Sequence, residues 1–347
     1  MSRPHPGVVA LWLAAAYPVT LLVLSLQQVL APQRNGLLAI GQIAAPHLFL
    51  GALLLVPLAL IGRSKRLGRP RRVLGLALAV LLVVGLARFL PGMVSLPPPE
   101  AAGATGISIT SWNRQALDGP DADDVIAVLR ASGSDIVAIQ ELRHDDAALI
   151  DADPLLASRY PYRVLRPHGG TFGLGLLSAH PILGEGWRDM PHTVWARLDL
   201  GGGRETVVVN AHPLPGAIRT LDGLPVPVPV DYEVSERDLA IGRLRAELVD
   251  PLLEDGERVV LVGDFNTTVR EPAFAELSAG LVDVHASVGM GPGSTWRPDR
   301  LEWLPFGVLR IDHMFAGPGI RPQRISTDCT PRGSDHCIVY SVLGWDP

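Results

Sequence analysis

No aspartate or glutamate occurs in the first 99 residues, and no lysine follows Lys65. A stretch of that length without an acid is not the surface of an ordinary solvated domain, where both signs are interspersed. All 35 acidic residues lie from Glu100 onward, against 21 arginines, so the later part carries a formal charge of −14 and the overall −5 averages a basic front with an acidic body. Such a body is poorly suited to duplex nucleic acid, whose non-specific binding depends on Lys and Arg neutralising phosphates. Two cysteines, Cys329 and Cys337, exclude a scaffold built from many disulfides and are too few for a cysteine-based zinc site. They form either a disulfide beside a turn or two separate small core residues, because bridging depends on geometry that sequence does not carry.

The front holds what the rest lacks. Val8 to Leu30, Leu37 to Ile61 and Val73 to Leu90 are apolar runs, uncharged except for Arg88. Each is about long enough for a helix crossing a hydrocarbon core of roughly 30 Å at about 1.5 Å per residue. Three such runs exceed a cleaved signal peptide, and Pro18, Pro46 and Pro57 are tolerable in lipid-buried helices. The expectation is a membrane anchor of three spans over residues 1–92. The segment Gly62 to Arg72, GRSKRLGRPRR, holds six Lys or Arg, whereas the loop between the first two spans holds only Arg34. Positive loops stay in the cytoplasm, which places the amino terminus inside and everything after Leu90 outside.

Residues 93–105 lie in a Pro-, Ala- and Gly-rich stretch that reads as a linker. From 106 to 347, apolar strand patterns such as ISITSWN, DIVAIQEL, ETVVVNAH and RVVLVGDFN alternate with amphipathic helical ones such as DADDVIAVLRASG. This predicts a layered α/β or α+β sandwich. Six segments deliver a polar residue from the end of an apolar run: Asn113; Glu141; Asn210 and His212; Asp264 and Asn266; Asp312 with His313; Asp335 and His336. Any one of them is what an ordinary solvated turn would supply. Six together require another explanation.

In this order the motifs SWN, QE, NAH, GDFN, RIDH and SDH resemble the endonuclease/exonuclease/phosphatase superfamily of metal-dependent phosphoesterases, from about Gly106 to Leu343. The resemblance implies a DNase I-like four-layer fold, two packed mixed β-sheets flanked by helices. The chain is also similar, through its three apolar runs, to a group of bacterial membrane proteins in that superfamily, one of them linked to teicoplanin resistance. Carried over position by position, the resemblance puts Asn113, Glu141 and Asp335 at a Mg²⁺ ion, with Mn²⁺ as a substitute. Asp264 would position or deprotonate the attacking water, and Asn266 and His212 would contact the phosphoryl group. His336, paired with Asp312, would be a charged donor. The other histidines, His144, His168, His180, His192, His285 and His313, are expected to be structural or exposed.

The tether and the acidic charge direct the substrate expectation away from duplex DNA and toward a lipid-linked phosphate; the similarity to the resistance-linked group implies a polyprenyl diphosphate as the best single example. Two apolar segments add to this: Leu214 to Val234, and Leu301 to Leu309 with Trp303 and Phe306. They either meet the membrane interface or a lipid chain, or cover the sandwich's own core. Asn210, Trp303 and Phe306 complete the substrate-binding candidates. The rival functions are a nuclease on the outer side and a non-catalytic membrane-anchored binding or resistance module.

Overall fold

A computed structural model describes residues 5–60, 67–95, 106–221, 223, 228–298, 301 and 303–345. Residues 96–105 of the linker, and 61–66 with the first part of the basic segment, lie outside the described residues. The chain forms two compact units.

The first unit comprises residues 1–91 with 217–234 and 270–272. Two of its helices, Pro6–Leu30 and Gly68–Phe89, are long and apolar enough to cross a membrane. The expected second span is not one straight helix. It is broken into Gly36–Ile43 and Ala45–Leu60 with a bend of 66°, because Pro46 has no N–H to donate and fits only at the start of a new helix. Length and hydropathy thus yield two straight crossings, or three if the bent pair counts as one. The helices pack through Leu11, Ala15, Leu21, Phe49, Leu74, Leu78 and Leu81, while Leu13, Val23, Val29, Leu54 and Val83 face outward. Arg88 donates to Ser25 Oγ at 2.7 Å.

Residues 217–221 and 228–233 join these helices as a two-stranded ribbon. Tyr232 and Val234 pack with Ala39, Ile40 and Ile43, Val234 N donates to Asn35 Oδ1 at 2.9 Å, and Tyr232 Oη donates to Glu271 at 2.9 Å.

The second unit is the sandwich. One sheet contains β1 (Ile107–Asn113), β2 (Ile136–Gln140), β3 (Tyr162–Arg166), β4 (Leu174–Ser178), β13 (Ile320–Asp328) and β14 (Ile338–Trp345), in the order β13-β14-β1-β2-β4-β3. The other contains β5 (Ile182–Asp189), β6 (His192–Asp199), β7 (Glu205–Ala211), β10 (Val259–Asp264), β11 (Val282–Asp283) and β12 (Asp312–Ala316), in the order β11-β12-β10-β7-β6-β5. The ribbon of the first unit is β8 (Ala217–Leu221) with β9 (Val228–Glu233). Successive side chains on a strand point to opposite faces, and the cores follow that period. Ile136, Ala138, Val208, Val260 and Val262 fill the space between the sheets. Their neighbours Val137 and Ile139 pack outward on Val125, Ile126 and Leu129 of the helix Ala122–Ser132, and Val207 and Val209 pack on Ile241 and Leu244. The result is two mixed sheets flanked by helices. The helix that begins at Ser235 runs Ser235–Leu244, widens into a π turn over Arg245–Val249, and resumes as Asp250–Glu254.

Candidate active site

The topology itself gathers the polar strand exits. β1 runs parallel to β2, and β7 parallel to β10, so within each sheet the carboxyl ends of the pair lie on one edge. β12 is antiparallel to β10 with Asp312 opposite Asp264, and β14 is antiparallel to β1, so the residues that precede these two strands come back to those same edges. In α/β architectures ligands bind beyond the carboxyl ends of the strands. Here Asn113, Glu141, His212, Asp264, Asp312, Asp335 and His336 meet there.

Glu141 follows β2 with φ 59°, a left-handed conformation uncommon for a residue with a Cβ. This turn brings its carboxylate back to Ala116 N at 2.7 Å and Asn113 Nδ2 at 3.0 Å. Asn113 Nδ2 also donates to Asp264 Oδ2 at 3.0 Å, while its oxygen accepts from Gln115 N at 2.9 Å. Asn113 therefore orients two carboxylates with its nitrogen. Asn266 (φ 50°) gives its backbone N–H to Asp264 Oδ1 at 2.9 Å and its side chain to Pro213 O, and buried Arg237 holds its carbonyl at 2.8 Å. Left-handed non-glycine residues are costly and concentrate at functional sites. The three among the described residues, Gln115, Glu141 and Asn266, all touch this cluster.

Two histidines face Asp264 from either side. His212 donates through Nδ1 to Thr171 O at 3.1 Å, leaving Nε2 3.5 Å from Asp264 Oδ2 and 3.9 Å from Glu141 Oε1. His336 Nδ1 bonds Asp312 Oδ2 at 2.9 Å, and its Nε2 lies 3.6 Å from Asp264 Oδ2. Burial alone would lower the pKa of His336, but the Asp312 and Asp264 carboxylates more than reverse this and hold it at about 10. His212 is raised in the same way, burial being outweighed by Asp264. Asp264 is kept ionised well below the usual carboxylate range, the cost of its burial being exceeded by the charge of His336 and the bond to His212. Asp312 is pushed up by burial and by Asp264 against the pull of His336. With two carboxylates facing one ring, the proton belongs on His336.

Hard oxygen donors with histidine at the rim suit Mg²⁺ or Mn²⁺. Glu141, with 12% of its side chain exposed, and Asp335 are carboxylates that could hold such an ion. Asp264, Asp312 and His336 also bring one ligand atom each within 4.8 Å of one another, a buried Asp-Asp-His group. With His336 Nδ1 committed to Asp312, that group is better described as a charged dyad beside a carboxylate.

Several residues of the site carry no signal at a strand exit. Trp296 Nε1 donates to Asp335 Oδ2 at 2.7 Å, and Gln115 Oε1 accepts from Asp335 N at 2.9 Å. Thr295 Oγ1 accepts from Asp312 N at 3.1 Å. Ser334 Oγ donates to Asn113 O at 2.8 Å and accepts from His336 N at 3.0 Å. Arg297, fully buried, donates to the carbonyls of Cys329 and Ser334 at 2.8 and 2.9 Å. Of these only Ser334 lies in a motif singled out from sequence. Three candidates stand apart from the cluster. Asn210 is wholly buried, with its amide bonded to Ile139 O, Gly175 O and Gln140 Nε2 between the sheets. Trp303 and Phe306 are 69% and 57% exposed on the loop between Trp296 and Leu309. His313 is structural, buried against phenylalanines with Nε2 at Thr267 O and its pKa lowered to about 3, chiefly by burial.

Cys329 and Cys337 form a disulfide around the turn that carries Asp335 and His336, which settles the alternative left open by the sequence. Closing so short a loop is worth about 2–3 kcal/mol in the chain-entropy account. Replacing both cysteines with serine should lower stability by that amount and reduce turnover on the order of tenfold, as the turn loosens around His336. Thermal melts and kinetics of the double variant check this, and unchanged turnover would separate the disulfide from the site.

The family model described as Endonuclease/Exonuclease/phosphatase family matches residues 110–336. No curated protein matches the sequence. Among solved structures, an endonuclease/exonuclease/phosphatase family protein from Bacteroides thetaiotaomicron is similar at 18% identity and TM-score 0.52, over 70% of this chain and 99% of that one. The 3' phosphatase NExo from Neisseria, bound to product DNA hairpin, is similar at 21% identity and TM-score 0.54, over 70% of this chain and all (100%) of that one. A mannosyl-6-phosphatase from Bacteroides thetaiotaomicron is similar at 17% identity and TM-score 0.51, over 69% and 100%. At these identities the likeness is one of fold.

Proposed function

This chain belongs to the endonuclease/exonuclease/phosphatase family, and on that premise we propose that it is a membrane-anchored, Mg²⁺-dependent phosphoesterase that hydrolyses a lipid-linked phosphate on the outer side of the membrane. The observation that carries the hydrolase reading is the meeting of Glu141, His212, Asp264 and the Asp312–His336 dyad at one edge of the sandwich. Members of the family are generally metal-dependent hydrolases. A bound divalent cation, held by Glu141 and Asp335, would supply Lewis-acid stabilisation of a phosphoryl oxygen. Asp264, ionised and held by Asn113 and Asn266, would orient the attacking water and accept its proton. His336 and His212 would donate to the charge that develops on the phosphoryl oxygens, in a pocket where such donors act without reorganising.

The lipid-linked substrate rests on two supports. The apolar helices carry an outward-facing surface of leucine and valine, which suits lipid and would keep the site at high effective concentration near headgroups. The acidic, lysine-free body disfavours duplex DNA. The disulfide supports an oxidising compartment and hence an extracytoplasmic catalytic unit. Detergent-solubilised protein, given polyprenyl diphosphate, phospholipids and plasmid DNA with Mg²⁺ and then with EDTA, should release phosphate from a lipid substrate only with Mg²⁺. Preferential cleavage of plasmid DNA would replace this reading with that of a nuclease.

For topology, a phosphatase reporter that works only outside the cytoplasm should be active when fused after Glu100 and inactive after Arg66. The reverse pattern would remove the outer-side assignment while leaving the hydrolase assignment standing.

A further inference from the structure

Beside the candidate active site lies a recess of about 470 Å³ that none of its proposed roles uses. Its rim is formed by the start of the loop after β3, the tip of the β5–β6 hairpin and His144. Ligand sites commonly have volumes of about 300–1,000 Å³. The recess is joined to the catalytic cluster through His212. The ring of His212 bonds Thr171 O at 3.1 Å, and its backbone N–H bonds His192 O at 2.9 Å. Phe172 stacks on His192 at 4.1 Å and fixes the wall between them.

The lining is unusual for a stretch, residues 100–347, with formal charge −14. It contains Arg166, Arg188, His144, His168 and His192, against one acid, Asp189. Arg188 is already turned to Glu247, whose side chain and carbonyl it meets at 2.8 Å. Arg166 is held less closely. It meets Glu185 at 3.7 Å, with both side chains a little under half exposed, donates to the adjacent Leu165 O at 3.3 Å, and its guanidinium lies 5.9 Å from the centroid of the Trp187 ring. An arginine laid over an aromatic ring keeps its planar fork of donors available for a bidentate anion.

We propose that this recess is a second phosphate subsite, with Arg166 as its principal ligand, and that the substrate is a diphosphate ester. The proposal rests on the phosphoesterase reading and deepens it. The terminal phosphorus occupies the cluster around Asp264, and the inner phosphate, as leaving group, passes His212 into the recess. The oxygen of water bonds to the terminal phosphorus as the bridging P–O bond breaks. The electron pair of that bond stays on the inner phosphate, and the water's proton passes to Asp264 and then to solvent. The products are orthophosphate and a monophosphate ester.

The test is calorimetric binding of methylenediphosphonate and of methylphosphonate to detergent-solubilised full-length protein, each with Mg²⁺ and with EDTA. Wild type should bind the diphosphonate about tenfold or more tightly than the monophosphonate, the range expected of a charged hydrogen-bond pair. In Arg166→Ala that preference should fall to within about twofold, whereas Arg166→Lys should keep part of it and His168→Gln most of it. Arg166 is exposed, so these variants leave the core intact. A preference unchanged in Arg166→Ala, or absent in wild type, overturns the subsite. Absence of phosphate release from every ester of the substrate panel overturns the phosphoesterase reading instead, and the binding measurement still decides on the recess.

Discussion

Glu141→Ala is expected to lower phosphate release on the order of 1000-fold or more while the protein stays folded. The magnitude follows from removing both the carboxylate that would hold the cation and the anchor of its neighbours, each worth several kcal/mol in such sites. Glu141 Oε1 accepts from Asn113 and Oε2 from Ala116 N. Without it, Asn113 keeps Asp264 as its only carboxylate partner. The fold survives because Glu141 belongs to none of the apolar clusters of the sandwich. Glu141→Gln is the sharper variant. It preserves size and most hydrogen bonding but removes the charge, so it should require a Mg²⁺ concentration on the order of 100-fold higher for half-maximal turnover. Circular dichroism and melting temperature check the fold, and Mg²⁺ titrations of turnover check the role. Near-wild-type turnover of Glu141→Ala in Mg²⁺ would remove the assigned metal site.

The legible part of this site is the part that fold topology dictates. A strand buried on both faces reads as an apolar run, and the polar residue that ends it stands out; Asn113, Glu141, His212 and Asp264 were visible for that reason. Asn210 shows the limit of the same rule. It lies two residues before His212 on the same face of β7, but a strand rises about 3.4 Å per residue. That puts Asn210 one rung deeper, where its amide joins the two sheets. The left-handed turns at Gln115, Glu141 and Asn266 leave no trace in residue type, since their neighbours, and not a glycine, impose them. Thr295, Trp296 and Arg297 lie in a segment without periodicity, and their role arises only when the chain folds back on Asp335 and Ser334. Composition measured how much apolar helix the front contains but not its conformation, which Pro46 decides by starting a second helix. Val228–Glu233 pairs as one strand of the ribbon although proline cannot donate to a ladder, with Pro229 beside a register shift.

The largest pH-dependent effect is expected at the Asp312–His336 dyad. His336 has a folded pKa of about 10 against an ordinary value of about 6.5. Its charge, and any stability the pair contributes, is fully present below the lower value and is lost as pH rises through the upper one. Asp312 is the first of the carboxylates that hold this charge against burial, ahead of Asp264. Asp312→Asn keeps the shape but withdraws that support, so the pKa of His336 should drop and its charge should disappear at lower pH. His336→Ala removes a preorganised donor and should cost on the order of 100-fold to 1000-fold in turnover at every pH. Asp312→Asn should instead lose activity more steeply above neutrality and recover partly below it. Both substitutions act through one donor, so their losses should combine less than additively in the double variant. Turnover of the three variants between about pH 5.5 and about 9 reads both effects, since that span brackets the ordinary histidine range. If the Asp312→Asn profile runs parallel to wild type and the double variant loses the full product of the single losses, the carboxylate does not act through His336. The turn closed by Cys329 and Cys337 would then present the imidazole for a reason other than its charge.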